Sequence, residues 1–230
     1  MYNNQKVGAV IAAAGSSQRM NGKDKLFVSL GDKLVLARVL DTFQKCPAVD
    51  QIVIVMSQTN LKQGEQLAAG QKWAKVIAIV PGGERRQDSV LAGLNRLQDC
   101  RWAIIHDGAR PLVAEALITQ GLETAQETGS AIAAVPVTDT IKIADENHLV
   151  QGTPPRQSLW AVQTPQVFRF NIITEAYRQL KYEVTDDARA VEQAGHKVKI
   201  YMGSYENIKI TNPDDLAFAE ILLRKRASTL

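Results

Sequence analysis

The chain has 230 residues, 45% of them apolar and 22% charged, with a formal net charge of +3 at neutral pH. That length can bury a full core in one domain, and the composition excludes a disordered, collagen-like or disulfide-stapled protein. The charge is mild, and lysines and arginines are dispersed except for Arg224-Lys225-Arg226, which argues against nucleic acid as a partner and favours a small anion.

Residues 7–14 form the longest apolar run near the start, about eight residues against the roughly 20 needed to cross a bilayer. The run has neither a basic leader nor a cleavage-site pattern before it, so we expect a cytoplasmic protein with no membrane partner. Cys46 and Cys100 stand far apart without C-x-x-C spacing, which points to two inert thiols.

In chain order, apolar runs at 7–13, 52–56, 76–80, 102–105 and 131–135 predict strands, alternating with helical patterns at 34–43, 61–69, 86–97 and 112–125. The helices carry apolar stripes, such as Leu36, Val39, Leu40 and Phe43. Nearly unbroken apolar strands imply burial on both faces, hence an α/β sandwich with a mostly parallel sheet. The rhythm breaks between Asp139 and Phe168, where short alternating segments flank Gly152-Thr153-Pro154-Pro155. This stretch predicts a β-rich arm leaving the body, at about 138–160. Helices over 172–180 and 186–194 and a strand over 197–202 follow. The last helix is opened by Asn212-Pro213-Asp214-Asp215, with proline at the first helical position. No repeat or low-complexity tract divides the chain, so one domain over 1–230 is expected.

Three segments are candidates for chemistry. The first strand ends in Ala12-Ala13-Ala14-Gly15-Ser16-Ser17-Gln18-Arg19-Met20. Small residues there let a ligand approach the backbone, Gly15 can take positive φ, and turn amides beside Arg19 would make an anion cradle. The segment is neither the Rossmann G-x-G-x-x-G nor a Walker A loop, since Gly22-Lys23 is followed by Asp24. Lys23 and Lys25 follow in a loop well placed to surround polyphosphate. Pro81-Gly82-Gly83-Glu84-Arg85-Arg86-Gln87-Asp88-Ser89 joins a strand to a helix. Its adjacent glycines allow a flat base to lie against the main chain, and Asp88 or Ser89 can serve as an ordinary N-cap. The run from Ile104 to Pro111 puts an acid and an arginine at the carboxyl end of a buried strand, where ligands of open α/β sheets gather. Asp107 is the candidate for Mg²⁺, a hard cation that keeps phosphate oxygens and takes few protein ligands. His106 reads as a satisfied strand-end histidine.

Together these segments resemble the 2-C-methyl-D-erythritol 4-phosphate cytidylyltransferases of the non-mevalonate isoprenoid pathway. The resemblance covers almost the whole chain. It rests on Ala13-Ala14-Gly15 with Arg19-Met20, Gly82-Gly83 with Arg85 and Asp88-Ser89-Val90, and His106-Asp107 with Ala109-Arg110-Pro111. It continues through Asp139-Thr140, Arg156, Thr164-Pro165-Gln166, Thr185-Asp186-Asp187, and Asn207-Ile208-Lys209-Ile210-Thr211 with Pro213 and Asp215-Leu216. It implies a three-layer, Rossmann-like nucleotidyltransferase sandwich that forms a homodimer through its protruding arm. The implied reaction makes a CDP-alcohol and pyrophosphate from CTP and a polyol phosphate, with Mg²⁺ or another divalent cation.

By the same resemblance, Arg19, Lys25 and Lys209 are the catalytic cations, and Ala13, Ala14, Gly15, Ser16, Gly82, Gly83, Glu84, Ser89 and Asp107 hold the nucleotide. Asp107, Arg110, Thr164 and Lys209, with the partner's Thr140 and the partner's Arg156, hold the methylerythritol phosphate. The chain departs from the family pattern at Ser17, where Gly is frequent, at Gly108, where Ala is more usual, and at Glu84, where Asp is common. The loop between Met20 and Lys25 is also short.

The implied nucleophile is a phosphate monoester, largely dianionic at neutral pH because its second pKa is about 6. It needs no general base, so the lack of a Ser/His/Asp or Cys/His set is no obstacle. CTP at about −4 and the polyol phosphate at about −2 leave roughly −4 after one Mg²⁺, which Arg19, Lys25, Arg110, Arg156 and Lys209 can offset. One alternative is a ribitol 5-phosphate cytidylyltransferase, which shares most of these motifs. Another is a catalytically silent nucleotide-binding module, against which the joint presence of Arg19, Lys25, Asp107 and Lys209 argues. A glycosyltransferase is disfavoured because the chain has no D-x-D motif.

Overall fold

The computed structural model describes residues 1–15 and 24–228. The first half holds β1 (Val7–Ala13), β2 (Ser29–Leu30), β3 (Lys33–Leu34), α1 (Val35–Lys45), β4 (Gln51–Met56), α2 (Leu61–Ala69), β5 (Val76–Pro81), α3 (Arg86–Leu94) and β6 (Trp102–Asp107). The second half holds α4 (Glu115–Thr128), β7 (Ser130–Pro136), β8 (Ile143–Ala144), β9 (Val150–Gly152), β10 (Trp160–Arg169), α5 (Phe170–Gln179), α6 (Asp187–Gln193), β11 (Lys199–Met202) and α7 (Pro213–Ala227).

Among the described residues, seven strands make one sheet in the order β11-β7-β10-β6-β1-β4-β5. β1 pairs in parallel with β4 and β6, β4 with β5, and β7 with β11, while β10 runs antiparallel to both β6 and β7. Side chains alternate across each strand, so one strand feeds two cores. In β1, Ala9 and Ile11 pack with Leu36, Leu40 and Phe43 of α1 and with Ile118 and Leu122 of α4. Val10 points the other way, into the cluster of Val90 and Leu94 from α3 with Ile173 from α5 and Val191 from α6. Each fully buried valine, leucine, isoleucine or phenylalanine among them contributes about 1.5–3 kcal/mol. The result is the expected three-layer sandwich.

α7 closes the molecule on one side. Ala219 and Leu222 join Leu30, Val35, Leu112 and Ile210 in a third core. The helix starts where the Asn-Pro signal places it: Asn212 Oδ1 accepts from Asp215 N at 2.9 Å, and Asp215 Oδ2 accepts from Asn212 N at 3.0 Å and Thr211 N at 2.7 Å. That cap fixes the segment before it, and Ile210 N donates to Ala109 O at 2.8 Å. Lys209 is thereby brought beside the end of β6.

The structure differs from the sequence reading in three places. α3 stops at Leu94, before the expected 97, and α4 starts at Glu115 because Leu112 and Val113 are buried as loop. The stretch up to Phe168 is not all arm: from Trp160 the chain re-enters the main sheet as β10, with a register shift between Val162 and Gln166 around Pro165. The arm itself is a small separate hairpin of β8 and β9. Among the described residues no helix is long and apolar enough to cross a membrane.

Candidate active site

β1, β4, β5 and β6 run in parallel, so their carboxyl ends gather Ala13, Pro81 and Asp107 at one edge of the sheet. β10 starts at that edge because it runs the other way. Asp107 N donates to Thr164 Oγ1 at 3.0 Å, and the same hydroxyl pairs with His106 Nδ1 at 3.1 Å. The other His106 ring nitrogen lies 3.3 Å from Arg110 O, and the ring packs tilted against Phe43 with centroids 5.1 Å apart. Burial pushes the imidazole down to about 4, with the neighbouring Asp107 charge opposing the shift. His106 is thus the satisfied strand-end histidine expected, neutral at physiological pH and without access to a substrate.

Asp107 is the focus of the charge. Lys209 Nζ lies 2.9 Å and Arg110 Nε 3.6 Å from its Oδ2, and Arg86 Nη2 lies 3.8 Å from its Oδ1. Burial favours the neutral acid, but the attraction of Lys209, Arg86 and Arg110 outweighs it and holds the carboxyl well below the usual range. Arg110 Nη1 donates to Asn207 O at 2.7 Å, and Asn207 Nδ2 donates to Thr164 O at 2.8 Å. Those bonds tie the Lys209 segment to β10. Arg110 Nε is buried and donates to no acceptor.

Two clefts meet at this carboxylate. The first, of about 410 Å³, is lined by Ala13, Ala14, Gly15, Lys25, Gly83, Glu84 and Ser89, and also by Arg86, Asp107 and Lys209. The second, of about 420 Å³, is lined by Arg110, Gln163, Thr164, Thr185, Asp186 and Arg189, again with Arg86, Asp107 and Lys209. A ligand in each would therefore meet the other across three shared side chains.

Local sequence explains the walls. A Cβ on Gly82 would lie 2.5 Å from Ala14 Cβ and 2.6 Å from Ser89 Oγ, so Gly82 lets the two loops touch and sits behind the lining. Ser89 Oγ accepts from Gly83 N at 3.1 Å, while Asp88 caps α3 by accepting from Arg85 N at 3.2 Å. Gly15 is not in the left-handed region that its position suggested. Among the described residues a Cβ there meets nothing within 4 Å, and Gly15 lines the first cleft. Lys25 begins a short 3-10 turn whose N-cap, Asp24, accepts from Leu26 N at 2.9 Å and from Asn60 Nδ2.

Ser16, Arg19 and Lys23 lie outside the described residues. Thr140 and Arg156 are exposed and line neither cleft of their own chain; Arg156 Nη1 donates to Thr138 O at 2.7 Å. Two residues escaped the sequence reading. Asn207, buried among Thr164 and Arg110, stood in a quoted motif without a role. Arg86 also stood in a quoted segment, but its partner Asp187, 2.6 Å away, lies on α6. No local spacing signals that pair.

A family model described as IspD, 2-C-methyl-D-erythritol 4-phosphate cytidylyltransferase, matches residues 7–225. The chain belongs to this family. IspD proteins are transferases of the non-mevalonate isoprenoid pathway, and the chain is an enzyme of that kind. An IspD protein from Dehalococcoides mccartyi is 54% identical over 225 residues, which cover 98% of this chain and 99% of that protein. Another, from Alkaliphilus oremlandii, is 42% identical over 98% of each chain. The crystal structure of 4-diphosphocytidyl-2C-methyl-D-erythritol synthase from Anaerococcus prevotii superposes with a TM-score of 0.86 at 30% identity, covering 96% of this chain and 97% of that one. The IspD structure from Thermus thermophilus gives 0.76 at 30% identity, covering 95% and 99%. The nucleotidyltransferase-type sandwich inferred from the sequence is therefore the fold of this family.

Proposed function

We propose that CTP occupies the cleft of Gly83 and Ser89, that 2-C-methyl-D-erythritol 4-phosphate occupies the cleft of Arg110 and Thr164, and that the two react across Asp107 with release of pyrophosphate. The observation that carries this reading is the sharing of Arg86, Asp107 and Lys209 by both clefts. A reaction between two anions needs them in line and in contact, and a common wall of cations supplies both the positioning and the charge.

Lys25 in the first cleft and Lys209 at the junction flank the α-phosphate and tighten on it as negative charge builds there. Arg110 holds the polyol phosphate with its guanidinium, which lines the second cleft and is held in place by the Nη1 bond to Asn207. No residue need remove a proton, since the attacking phosphate is already ionised and His106 faces away from both clefts. Backbone groups around Ala14 and Gly83 read the edge of a cytosine, and a larger purine would meet the chain at Gly83.

Among the described residues no group of three or more His, Cys, Asp or Glu side chains is placed to hold a metal ion. Such a site suits Mg²⁺ that arrives on the triphosphate and takes one carboxylate, and Asp107 is the acid common to both clefts. When bound, the ion neutralises charge on the phosphate oxygens.

The chain is one domain whose arm, about 138–160, serves a partner in a homodimer. Ile143, Leu149 and Val150 on the hairpin are 57%, 63% and 60% exposed, an apolar tip better covered than solvated. Thr140 and Arg156 on that arm complete the second cleft of the other subunit. Incubation of the pure protein with CTP, Mg²⁺ and methylerythritol phosphate should give a product of the mass of 4-diphosphocytidyl-2-C-methyl-D-erythritol together with pyrophosphate. Ribitol 5-phosphate, UTP and ATP should react far more slowly. Preference for ribitol phosphate would overturn the assignment of the second cleft.

A further inference from the structure

We propose that Arg86 is a positioning residue for the transfer, holding the Asp107 carboxylate in one orientation at the junction of the clefts, and that buried Asp187 and Tyr177 hold Arg86 in turn. The inference rests on the two-cleft reading above.

Arg86 is the first residue of α3, so its backbone is fixed by the helix and by the strand-to-helix turn that precedes it. Its guanidinium stretches across the back of the junction. Nη2 lies 2.6 Å from Asp187 Oδ2 and 3.8 Å from Asp107 Oδ1. The second oxygen of Asp187 accepts from Tyr177 Oη, and the Asp187 side chain is 0% exposed. A wholly buried carboxylate is costly, and an ion pair in its place of burial is weak evidence for a gain in stability. What the arrangement does provide is a long side chain with its freedom already removed before any substrate arrives.

The three cations around Asp107 are not equivalent. Lys209 and Arg110 both face Oδ2, whereas Arg86 faces Oδ1. Lys209 is 40% exposed and turns to the α-phosphate in the reaction, which takes one contact from Oδ2. Arg110 turns its guanidinium to the polyol phosphate, which takes the second contact from Oδ2. Arg86, pinned to Asp187, keeps its place beside Oδ1 and prevents the carboxylate from rotating about Cβ–Cγ when the others let go. Both contacts are made from Nη2, at the far end of the long arginine side chain. Lysine, a point charge on a shorter and more flexible stem, does not hold a nitrogen fixed at that place between Asp187 and Asp107.

The test compares Arg86→Lys with wild type in steady-state kinetics, with thermal unfolding as a control. The expected result is a folded protein whose kcat falls on the order of 10- to 100-fold, as for a small misplacement of a reacting group. KM for CTP and for methylerythritol phosphate should stay within about twofold, because Arg86 acts through the orientation of Asp107 rather than on the binding of either substrate. Should Arg86→Lys fail to fold, Arg86→Met with Asp187→Asn removes both charges together, and the same loss of kcat is expected. Normal kcat in a folded variant overturns the proposal and leaves the Arg86–Asp187 pair a structural bridge. A raised KM at unchanged kcat also overturns it, since Arg86 would then be a direct substrate contact. Wild-type protein that forms no cytidylyl product at all would sink the two-cleft reading instead.

Discussion

Asp107 and Lys209 form an ion pair of 2.9 Å between the end of β6 and the segment that leads into α7. The pair brings together two distant parts of the chain, and it stands where the two clefts open into each other. Before substrates bind, the carboxylate stores the lysine in place; once a phosphate arrives, the lysine has a second anion to choose. The cost of arranging the cations has then been met by folding rather than by the reaction.

Removal of either lysine tests that preorganisation. Lys25→Ala and Lys209→Ala should each lower turnover by on the order of 10² or more, the usual cost of a lost transition-state donor. Thermal unfolding is the control, and Lys209→Ala should lower the melting temperature because the buried Asp107 carboxylate loses its nearest cation. The measurement is pyrophosphate release at saturating substrates, and near-normal kcat for either variant would remove that residue from the mechanism.

His106 predicts how stability varies with pH. Its ordinary value of 6.5 falls to about 4 in the folded protein because the ring is buried. The unfolded chain therefore binds more protons than the folded one between those values, so stability rises with pH across the window. The contribution is complete above about 6.5 and is lost as pH falls towards about 4, a difference of roughly 3 kcal/mol. Urea unfolding at pH 7 and at pH 4.5 should show a smaller loss for His106→Gln than for wild type. Equal losses would mean that the imidazole is charged in its pocket.

The arm predicts complementation between inactive chains. Arg156→Ala damages the arm, and Lys25→Ala damages the cleft. A mixed dimer has one site in which an intact cleft meets an intact arm. After the two variants are unfolded and refolded together, random pairing should restore about a quarter of wild-type activity. Arms that serve their own subunit would restore none. Leu149→Glu should in turn shift the protein towards monomers in light scattering and lower activity in parallel.

Dependence on the metal should follow the triphosphate. Chelation with EDTA should abolish turnover yet leave the melting temperature unchanged, since no described cluster of ligands needs an ion to fold. Calorimetry should detect Mg²⁺ binding in the presence of CTP and little in its absence. Tight binding to the free protein would point to a resident metal.

Much of this architecture was legible from local pattern. β1, β4 and β6 are apolar along their length because both faces are covered, and Asn212-Pro213 with Asp215 marks the start of α7 to the residue. β10 was not legible: Gln163, Thr164, Pro165 and Gln166 break the apolar run, and proline removes a ladder donor. Those polar residues are there because this part of the strand serves the site, with Thr164 bonded to Asp107 and Gln166 to Asp186. At the site, Asp107 and Lys209 could be read from their motifs, but the bridge from Arg86 to Asp187 could not. It joins two helices that only the folded sheet brings within reach.

The most direct measurement is the single-turnover rate of cytidylyl transfer by wild type and Lys209→Ala, with enzyme in excess over CTP and both substrates bound. Rate loss on the order of 10² or more, with both substrates still binding, is the result the cation junction predicts. An unchanged rate of bond formation in the folded variant would contradict it.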